Sequence, residues 1–316
     1  MIKVLVTGGS GYLGGRIIEY FSLKGINRII GITSKSIDQT RHNSNIEIIN
    51  VSLLDEKSII DVCKGVDVII HTAGVNAGDS AKDPLFAFEF NLKGTLSICR
   101  AAQINNVSKV IYLSTAHVYD SPLRGTITED TCAKSIHPYA TSHKSAENII
   151  LSLPYNSQTK GIVIRLSNSF GSPVNASANC WQLLVNDLCV QGISSGKMVI
   201  KSNPNQKRDF VPISFFLKAL EFIVDNENIN YGNGIINIGG EWTPTLFEMA
   251  YKIKDRINIV LNKDVSIESS GSSYPTENFY YSIDKLKSFG FNLDPHSFIS
   301  YELDSLINFC SIFFKK

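Results

Sequence analysis

Gly8, Gly11 and Gly14 near the N terminus stand in the stretch Thr7-Gly8-Gly9-Ser10-Gly11-Tyr12-Leu13-Gly14, and their spacing suits holding phosphate oxygens against backbone N–H groups. Gly8 lets a strand turn sharply, Gly11 lets the backbone approach a pyrophosphate, and Gly14 lets a helix pack close against the strand. The free N–H groups of the first helical turn carry partial positive charge and complete the cradle. Glycines alone often do no more than turn a chain. Here the required context is present: the apolar run Ile2 to Val6 precedes them, Leu13, Ile17, Ile18 and Phe21 follow at helical spacing, and Gly25 offers a C-cap. The expectation is a bound dinucleotide held at Gly8, Gly11, Tyr12, Leu13 and Gly14.

The loop after the second strand reads Ile32-Thr33-Ser34-Lys35-Ser36, with Arg41 further on. A free ribose 2′-hydroxyl usually meets an Asp or Glu at that place, whereas hydroxyls and cations suit a 2′-phosphate. Ser34, Lys35 and Arg41 therefore favour NADP over NAD; the competing reading is solvated loop charge. The histidines His42, His71, His137 and His296 lack metal-ligand spacing, and the six cysteines lack CxxC spacing. No metal is expected, and the thiols read as reduced and mostly buried.

These residues need elements to position them. The runs Arg28 to Ile32, Ile46 to Val51, Val66 to His71, Lys109 to Ser114 and Gly161 to Leu166 are short, apolar and rich in Ile and Val, as strands buried on both faces are. With helical segments between them they spell repeated βαβ units and a doubly wound parallel sheet, an α/β fold. Asp83-Pro84 predicts the start of a helix reaching about Asn106, and Pro138 predicts another reaching about Leu151. Beyond Gly171 the alternation loosens. Residues 172–206 predict one helix, Trp181 to Gln191, and a short strand, Met198 to Lys201, as an insertion beyond the sheet. A helix over 213–226 and a strand over 235–239 return to it. From Pro244 follow a helix, a short strand, a Ser- and Gly-rich loop and two closing helices.

The chain has 316 residues and a formal charge of +1, and it carries no basic run, so nucleic acid is not an expected partner. It shows no membrane span and no cleavable leader, and the expected location is the cytoplasm.

Thr7-Gly8-x-x-Gly11-x-x-Gly14, His71-Thr72-Ala73-Gly74, Asn91, Ser114-Thr115-Ala116-His117-Val118-Tyr119 and Pro138-Tyr139 occur in an order and spacing that resemble the extended short-chain dehydrogenases/reductases, in their branch of NAD-dependent sugar-nucleotide epimerases, dehydratases and reductases. Arg165 to Gly171 and Arg208-Asp209-Phe210-Val211 resemble later motifs of that branch. The resemblance implies a Rossmann domain of residues 1–171 and 207–243, and a smaller, discontinuous α/β substrate subdomain of residues 172–206 and 244–316. It also implies a nucleotide-diphosphate sugar as substrate, a homodimer pairing the helices that open at Pro84 and Pro138, and further cofactor contacts at Ser52, Leu53, Thr72, Ala73, Gly74 and Asn91.

The family's hydroxyl and tyrosine pair maps to Thr115 and Tyr139, which stand 24 residues apart. Tyr139 would exchange a proton with the substrate while Thr115 bonds the same oxygen. The family's cationic lysine, four residues after the tyrosine, is here His143, with Lys144 one residue beyond. By helical geometry His143 is the heir, since Lys144 is rotated by about 100°, although a bent-back Lys144 stays open. An imidazole can bond the cofactor's ribose but is a less dependable cation at neutral pH. Sugar-nucleotide dehydratases carry Asp-Glu where this chain has Ala116-His117, so reductase or C4 epimerase chemistry through a 4-keto sugar is expected in place of dehydration. Asn168, Asn186 and Arg208 match the family's substrate contacts, Arg208 for its fork onto phosphate oxygens. The alternative is a sensor or scaffold of the same fold that has lost catalysis.

Overall fold

Each apolar run becomes a strand because Ile and Val pack well on a pleated, buried surface. In chain order the elements are β1 (Lys3–Thr7), α1 (Tyr12–Ser22), β2 (Arg28–Thr33), β3 (Ile46–Asn50), α2 (Glu56–Val62), β4 (Val68–His71), α3 (Ala77–Lys82), α4 (Pro84–Ile104), β5 (Lys109–Thr115), β6 (Gly125–Ile127), α5 (Pro138–Leu151), α6 (Leu153–Asn156) and β7 (Lys160–Leu166). There follow β8 (Asn168–Phe170), α7 (Leu184–Ser195), β9 (Lys197–Ile200), β10 (Phe210–Pro212), α8 (Ile213–Asp225), β11 (Ile235–Ile238), α9 (Leu246–Leu261), β12 (Ser266–Ser269), β13 (Phe279–Tyr281), α10 (Asp284–Ser288) and α11 (Ile299–Phe313). This computed structural model describes residues 2–24, 28–33, 45–227 and 229–314.

The central sheet is parallel, with seven strands in the order β11-β7-β5-β4-β1-β2-β3. β1 lies between β2 and β4, so the winding reverses at β1. The crevice beyond the carboxyl ends of β1 and β4 is therefore the place where a doubly wound sheet receives a ligand. The Gly8 turn follows β1, and Thr72 to Gly74 follow β4.

The chain divides into two compact units, residues 1–121, 131–166 and 226–236, and residues 122–130, 167–225 and 237–316. The first packs Leu5, Ile69, Ile98, Val110, Ile150 and Val163 into its core. The second packs Leu188, Met198, Phe210, Met249, Ile253 and Leu303. This division departs from the sequence boundaries at residues 171, 207 and 243. β10 pairs with β8 instead of joining the central sheet, and Phe210 packs in the second core, so residues 207–225 belong there. Residues 122–130 join them because β6 pairs with β13. The helix expected from Trp181 starts at Leu184, since the Trp181 indole N–H donates to the Ala176 carbonyl (2.8 Å) and Leu183 N–H turns back to Cys180 (3.1 Å). Four strands of three residues, β6, β8, β10 and β13, are too short to leave an alternation in sequence.

One hydrogen-bond chain ties the strand ends together. The N–H groups of Thr72 and Ala73 both donate to Thr7 Oγ1 (3.1 Å each), so the hydroxyl proton goes to His71 Nδ1 (2.7 Å). His71 Nε2–H then donates to Thr95 Oγ1 (3.1 Å), whose own proton goes to the Asn91 carbonyl (2.6 Å). β1, β4 and α4 are thus held by a neutral histidine. Burial, with His143 adding, pushes His71 down to about 3. Because the unfolded chain titrates near the ordinary value of about 6.5, it binds this proton before the native state does, so stability present above that pH is lost as pH falls. Between pH 7 and pH 5 the loss from this side chain is about 2 kcal/mol. His71→Gln should show a shallower decline over that interval in urea unfolding, and equal declines for both proteins would refute the assignment.

Candidate active site

The glycine turn has the geometry of an anion cradle. Gly8 sits at φ +68°, a left-handed conformation that a side chain strains. A Cβ on Gly14 would stand 2.2 Å from the Gly8 carbonyl oxygen, so only glycine allows α1 to approach β1 this closely. Gly11 caps α1 and brings no side-chain acceptor, leaving the Leu13 and Gly14 N–H groups without an acceptor among the described residues. Open N–H groups at a helix start, beside a turn that excludes side chains, fit the pyrophosphate of a dinucleotide. Ser52 and Leu53 follow β3: Ser52 turns the chain, its carbonyl accepting Asp55 N–H (3.0 Å), and Leu53 is buried in the first core. Ser34, Lys35, Arg41 and Gly25 lie outside the described residues.

Thr115 ends β5 and Tyr139 opens α5, where Pro138 occupies the first turn and the His137 ring caps the Tyr139 N–H (3.2 Å). Thr115 Oγ1 accepts from His117 N–H (3.2 Å) and hydrogen-bonds the Tyr139 phenol. One turn on, the His143 ring meets the Tyr139 ring edge to face, centroids 4.5 Å apart. Its Nδ1 is 2.7 Å from the Tyr112 hydroxyl. The Gly74 backbone faces His143 Nε2 and Asn91 Oδ1, at 3.6 and 3.5 Å from where a Cβ would be. The Asn91 amide is committed to protein: Oδ1 accepts Val75 N–H (3.0 Å), and Nδ2 donates to Ser142 Oγ (3.0 Å).

Among the described residues no Lys or Arg acts on the phenol, and the His117 ring stands 6.3 Å from the Tyr139 ring. Burial raises Tyr139 above its ordinary value, opposed by the Thr115 hydrogen bond. Burial also pushes His143 down to about 4; Glu147 opposes that shift and His117 adds to it. The imidazole is therefore neutral at pH 7. Lys144 extends to Asn148 Oδ1 (2.8 Å) and lies 3.4 Å from Glu147 Oε2.

Asn168, Asn186 and Arg208 lie in the second unit. Asn168 Nδ2 donates to the Asp209 carbonyl (2.9 Å). Asn186 is fully buried and donates to the Gly171 carbonyl (3.1 Å), which ties α7 to the turn after β8. Arg208 differs from both: its side chain has Gln206 Oε1 at 3.3 Å and no carboxylate partner among the described residues. Burial lowers its pKa, which marks a guanidinium short of compensation. The adjacent Asp209 is already committed, taking the Ser167 hydroxyl, Gly240 N–H (2.8 Å) and Trp242 N–H (3.3 Å). Burial pushes Asp209 up to about 6.

Two supports of this site, Tyr112 and Glu147, lie outside the quoted motifs, while their partners Ser114 and Arg165 lie within them. Glu147, fully buried, accepts Ser114 Oγ (2.6 Å) and a fork from Arg165, Nε at 3.0 Å and Nη2 at 2.7 Å. Arg165 also stacks over the Tyr119 ring, 4.6 Å from its centroid. A periodicity signal points to them, because Tyr112 and Ser114 share one face of β5 while His143 and Glu147 share one face of α5. Among the described residues no cluster of three His, Cys, Asp or Glu side chains is placed to hold a metal, and no helix is long and apolar enough to cross a membrane.

Comparison with known proteins agrees with this fold. The NAD dependent epimerase/dehydratase family profile matches residues 4–239. A UDP-glucose 4-epimerase of Dictyostelium discoideum is 30% identical over 190 residues, 54% of this chain and 53% of that protein, so the match spans about half of that relative's length. A putative UDP-glucose 4-epimerase of Methanocaldococcus jannaschii is 25% identical over 260 residues, 80% of this chain and 82% of that protein. Among solved structures, the UDP-N-acetylglucosamine 4-epimerase of Methanobrevibacter ruminantium M1, in complex with UDP-N-acetylmuramic acid, superposes with a TM-score of 0.82 at 22% identity, covering 98% of this chain and 97% of that one. The UDP-glucuronic acid 4-epimerase of Bacillus cereus, in complex with UDP-glucuronic acid and NAD, gives 0.80 at 20% identity, covering 98% and 99%. Those two likenesses speak to the fold. With its doubly wound sheet, its glycine cradle and a family match across well over half its length, this chain belongs to the NAD-dependent epimerase/dehydratase family.

Proposed function

We propose that the protein is an NAD(P)-dependent enzyme acting on a nucleotide-diphosphate sugar through a 4-keto species, as a C4 epimerase or a 4-ketosugar reductase. The observation that carries the reading is the grouping of Thr115, Tyr139 and His143 in the unit that bears the glycine cradle. When bound, the nicotinamide exchanges a hydride with the sugar's carbinol carbon. In the reducing direction Tyr139 donates its phenolic proton to the keto oxygen, and in the oxidising direction the resulting phenolate takes that proton back, while Thr115 orients the same oxygen. His143 bonds the cofactor's ribose. Gly8, Gly11, Tyr12, Leu13 and Gly14 hold the pyrophosphate, Thr72, Ala73 and Gly74 line its approach, and Ser52 and Leu53 border the adenine end. Arg208 takes the substrate diphosphate, its open fork suiting two oxygens. The buried amides of Asn91 and Asn186 act by holding neighbouring backbone. Six free thiols, five of them buried, accord with a reduced, cytoplasmic setting.

A second reading is favoured by one specific observation: the phenol of Tyr139 is raised and the imidazole beside it is neutral. A cofactor-binding sensor with little turnover would look the same. Incubation with a panel of UDP- and dTDP-sugars, followed by product mass and nicotinamide absorbance, separates the two. Under the enzymatic reading Tyr139→Phe lowers turnover by about 10²- to 10⁴-fold with cofactor affinity nearly intact. His143→Ala lowers both turnover and affinity, and Lys144→Ala changes little. An inactive wild-type protein that still binds dinucleotide would select the sensor.

The cofactor is a nicotinamide dinucleotide, and the preference for NADP rests on Ser34, Lys35 and Arg41 alone. The Bacillus cereus epimerase, by contrast, is in complex with NAD. Calorimetric titration with both reduced cofactors decides the matter: tighter NADPH binding upholds the three-residue argument, and equal or tighter NADH binding rejects it.

The quaternary reading is a homodimer through α4 and α5. Leu85 on α4 is 83% exposed, with Phe86 and Leu96 about half exposed, and a hollow of about 630 Å³ lined by Leu96, Arg100, Ile149 and Leu153 opens at the Leu96 end. Light scattering at micromolar concentration should give twice the chain mass, and Leu85→Asp with Leu96→Asp should return it to the monomer value; a wild-type monomer would refute the dimer.

A further inference from the structure

The Tyr112 hydroxyl is buried in the first unit, and its single polar partner is His143 Nδ1 at 2.7 Å. A phenol can donate or accept, but its proton must have an acceptor when water is excluded. No other acceptor stands within reach among the described residues, so the phenol donates and Nδ1 accepts. That leaves the neutral ring's one proton on Nε2. An imidazolium, or the opposite tautomer, would set two donors against each other. Ring packing holds the orientation: Tyr112 lies nearly parallel to His143, with centroids 5.7 Å apart and planes at 29°, and Tyr139 meets it edge to face.

Nε2 has no protein acceptor among the described residues. It faces Gly74, lying 3.6 Å from where a Cβ on that residue would stand. Gly74 follows β4, at the carboxyl edge where the sheet's winding reverses. We propose that Tyr112 is a positioning residue, fixing His143 as the Nε2–H tautomer so that it serves as a neutral, aimed hydrogen-bond donor to a hydroxyl of the bound dinucleotide. The inference rests on the proposed function only for the identity of that acceptor.

The groups around the ring agree with a neutral donor. They are Tyr112 from β5, Tyr139 and Glu147 from α5, His117 from the turn after β5, and His71 from β4. Glu147 is the one carboxylate among them, and it is already forked by Arg165. Burial holds the Tyr112 phenol well above its ordinary value, so it keeps the proton that it donates.

Two measurements test this. Long-range ¹H–¹⁵N spectra of the full chain labelled at histidine report the tautomer without any cofactor. At pH 7.5 His143 should show an unprotonated Nδ1 and a protonated Nε2, and Tyr112→Phe should shift the resonances toward a mixture while circular dichroism stays unchanged. The second is calorimetric titration with NADH and NADPH. Glutamine reproduces the pattern of one acceptor and one donor, so His143→Gln should keep affinity within about threefold, whereas His143→Lys and Tyr112→Phe should each lose about tenfold. A protonated Nδ1 in the wild type, an unchanged tautomer in Tyr112→Phe, or a tight-binding Lys variant beside a weak Gln variant would each overturn the proposal. A wild type that shows the stated tautomer but binds no dinucleotide would refute the proposed function and the ribose acceptor, leaving the tautomer assignment standing.

Discussion

The buried contact between Glu147 and Arg165 is the constraint on which the site of the first unit depends. Glu147 has no exposed surface, and its two oxygens receive three hydrogen bonds, two from Arg165 on β7 and one from Ser114 on β5. A single carboxylate on α5 thereby locates that helix against two strands. Such a pair contributes little net stability compared with apolar packing, because desolvation offsets its attraction. Losing one partner is another matter, costing about 3–5 kcal/mol through the charge left behind. The arrangement is thus better read as a device for alignment. Tyr139 and His143 ride on the same helix, so their positions over Thr115 and Gly74 follow from where Glu147 is held.

A commensurate spacing lets α5 use two polar contacts at once. His143 and Glu147 are four residues apart, about 6 Å along a helix. Tyr112 and Ser114 are two apart, about 6.6 Å along a strand. Tyr112 bonds His143 and Ser114 bonds Glu147, one pair neutral and the other anionic. The charge in this seam stays at Glu147, answered by Arg165 and by Lys144 at the helix surface. Burial and Thr115 set the state of the Tyr139 phenol, so an acid–base role for it must draw on its hydrogen bond to Thr115.

The second unit follows a different electrostatic logic. Asp209 is buried and satisfied by a hydroxyl and two backbone N–H groups, which draws it away from its neighbour in sequence, Arg208. The guanidinium is left half-buried with one neutral contact. A cation in that condition gains more from an arriving anion than one already paired, because its desolvation has been incurred in the fold. The two residues stand side by side in the chain and face opposite tasks.

Local pattern alone determined much of this. Strands of Ile and Val, glycines at a βα turn and prolines opening α4 and α5 are short-range physics, legible wherever a few neighbouring residues decide backbone conformation, and they led to the doubly wound sheet and its glycine turn after β1. Helical geometry likewise made His143 the residue on the face of Tyr139, where the structure sets the two rings edge to face. Tertiary structure decided what depends on partners distant in the chain. That β10 pairs with β8, moving residues 207–225 into the second unit, turned on a three-residue match no periodicity reveals. That Asn91 spends its amide on Val75 N–H and the Ser142 hydroxyl, that Asn186 donates to the Gly171 carbonyl, and that Lys144 reaches Asn148, depended on which partners the fold brought near. The charge state of His143 was least legible of all: an imidazole in water titrates near neutrality, and only the burial around it, with a tyrosine hydroxyl 31 positions away supplying its Nδ1 bond, makes it neutral.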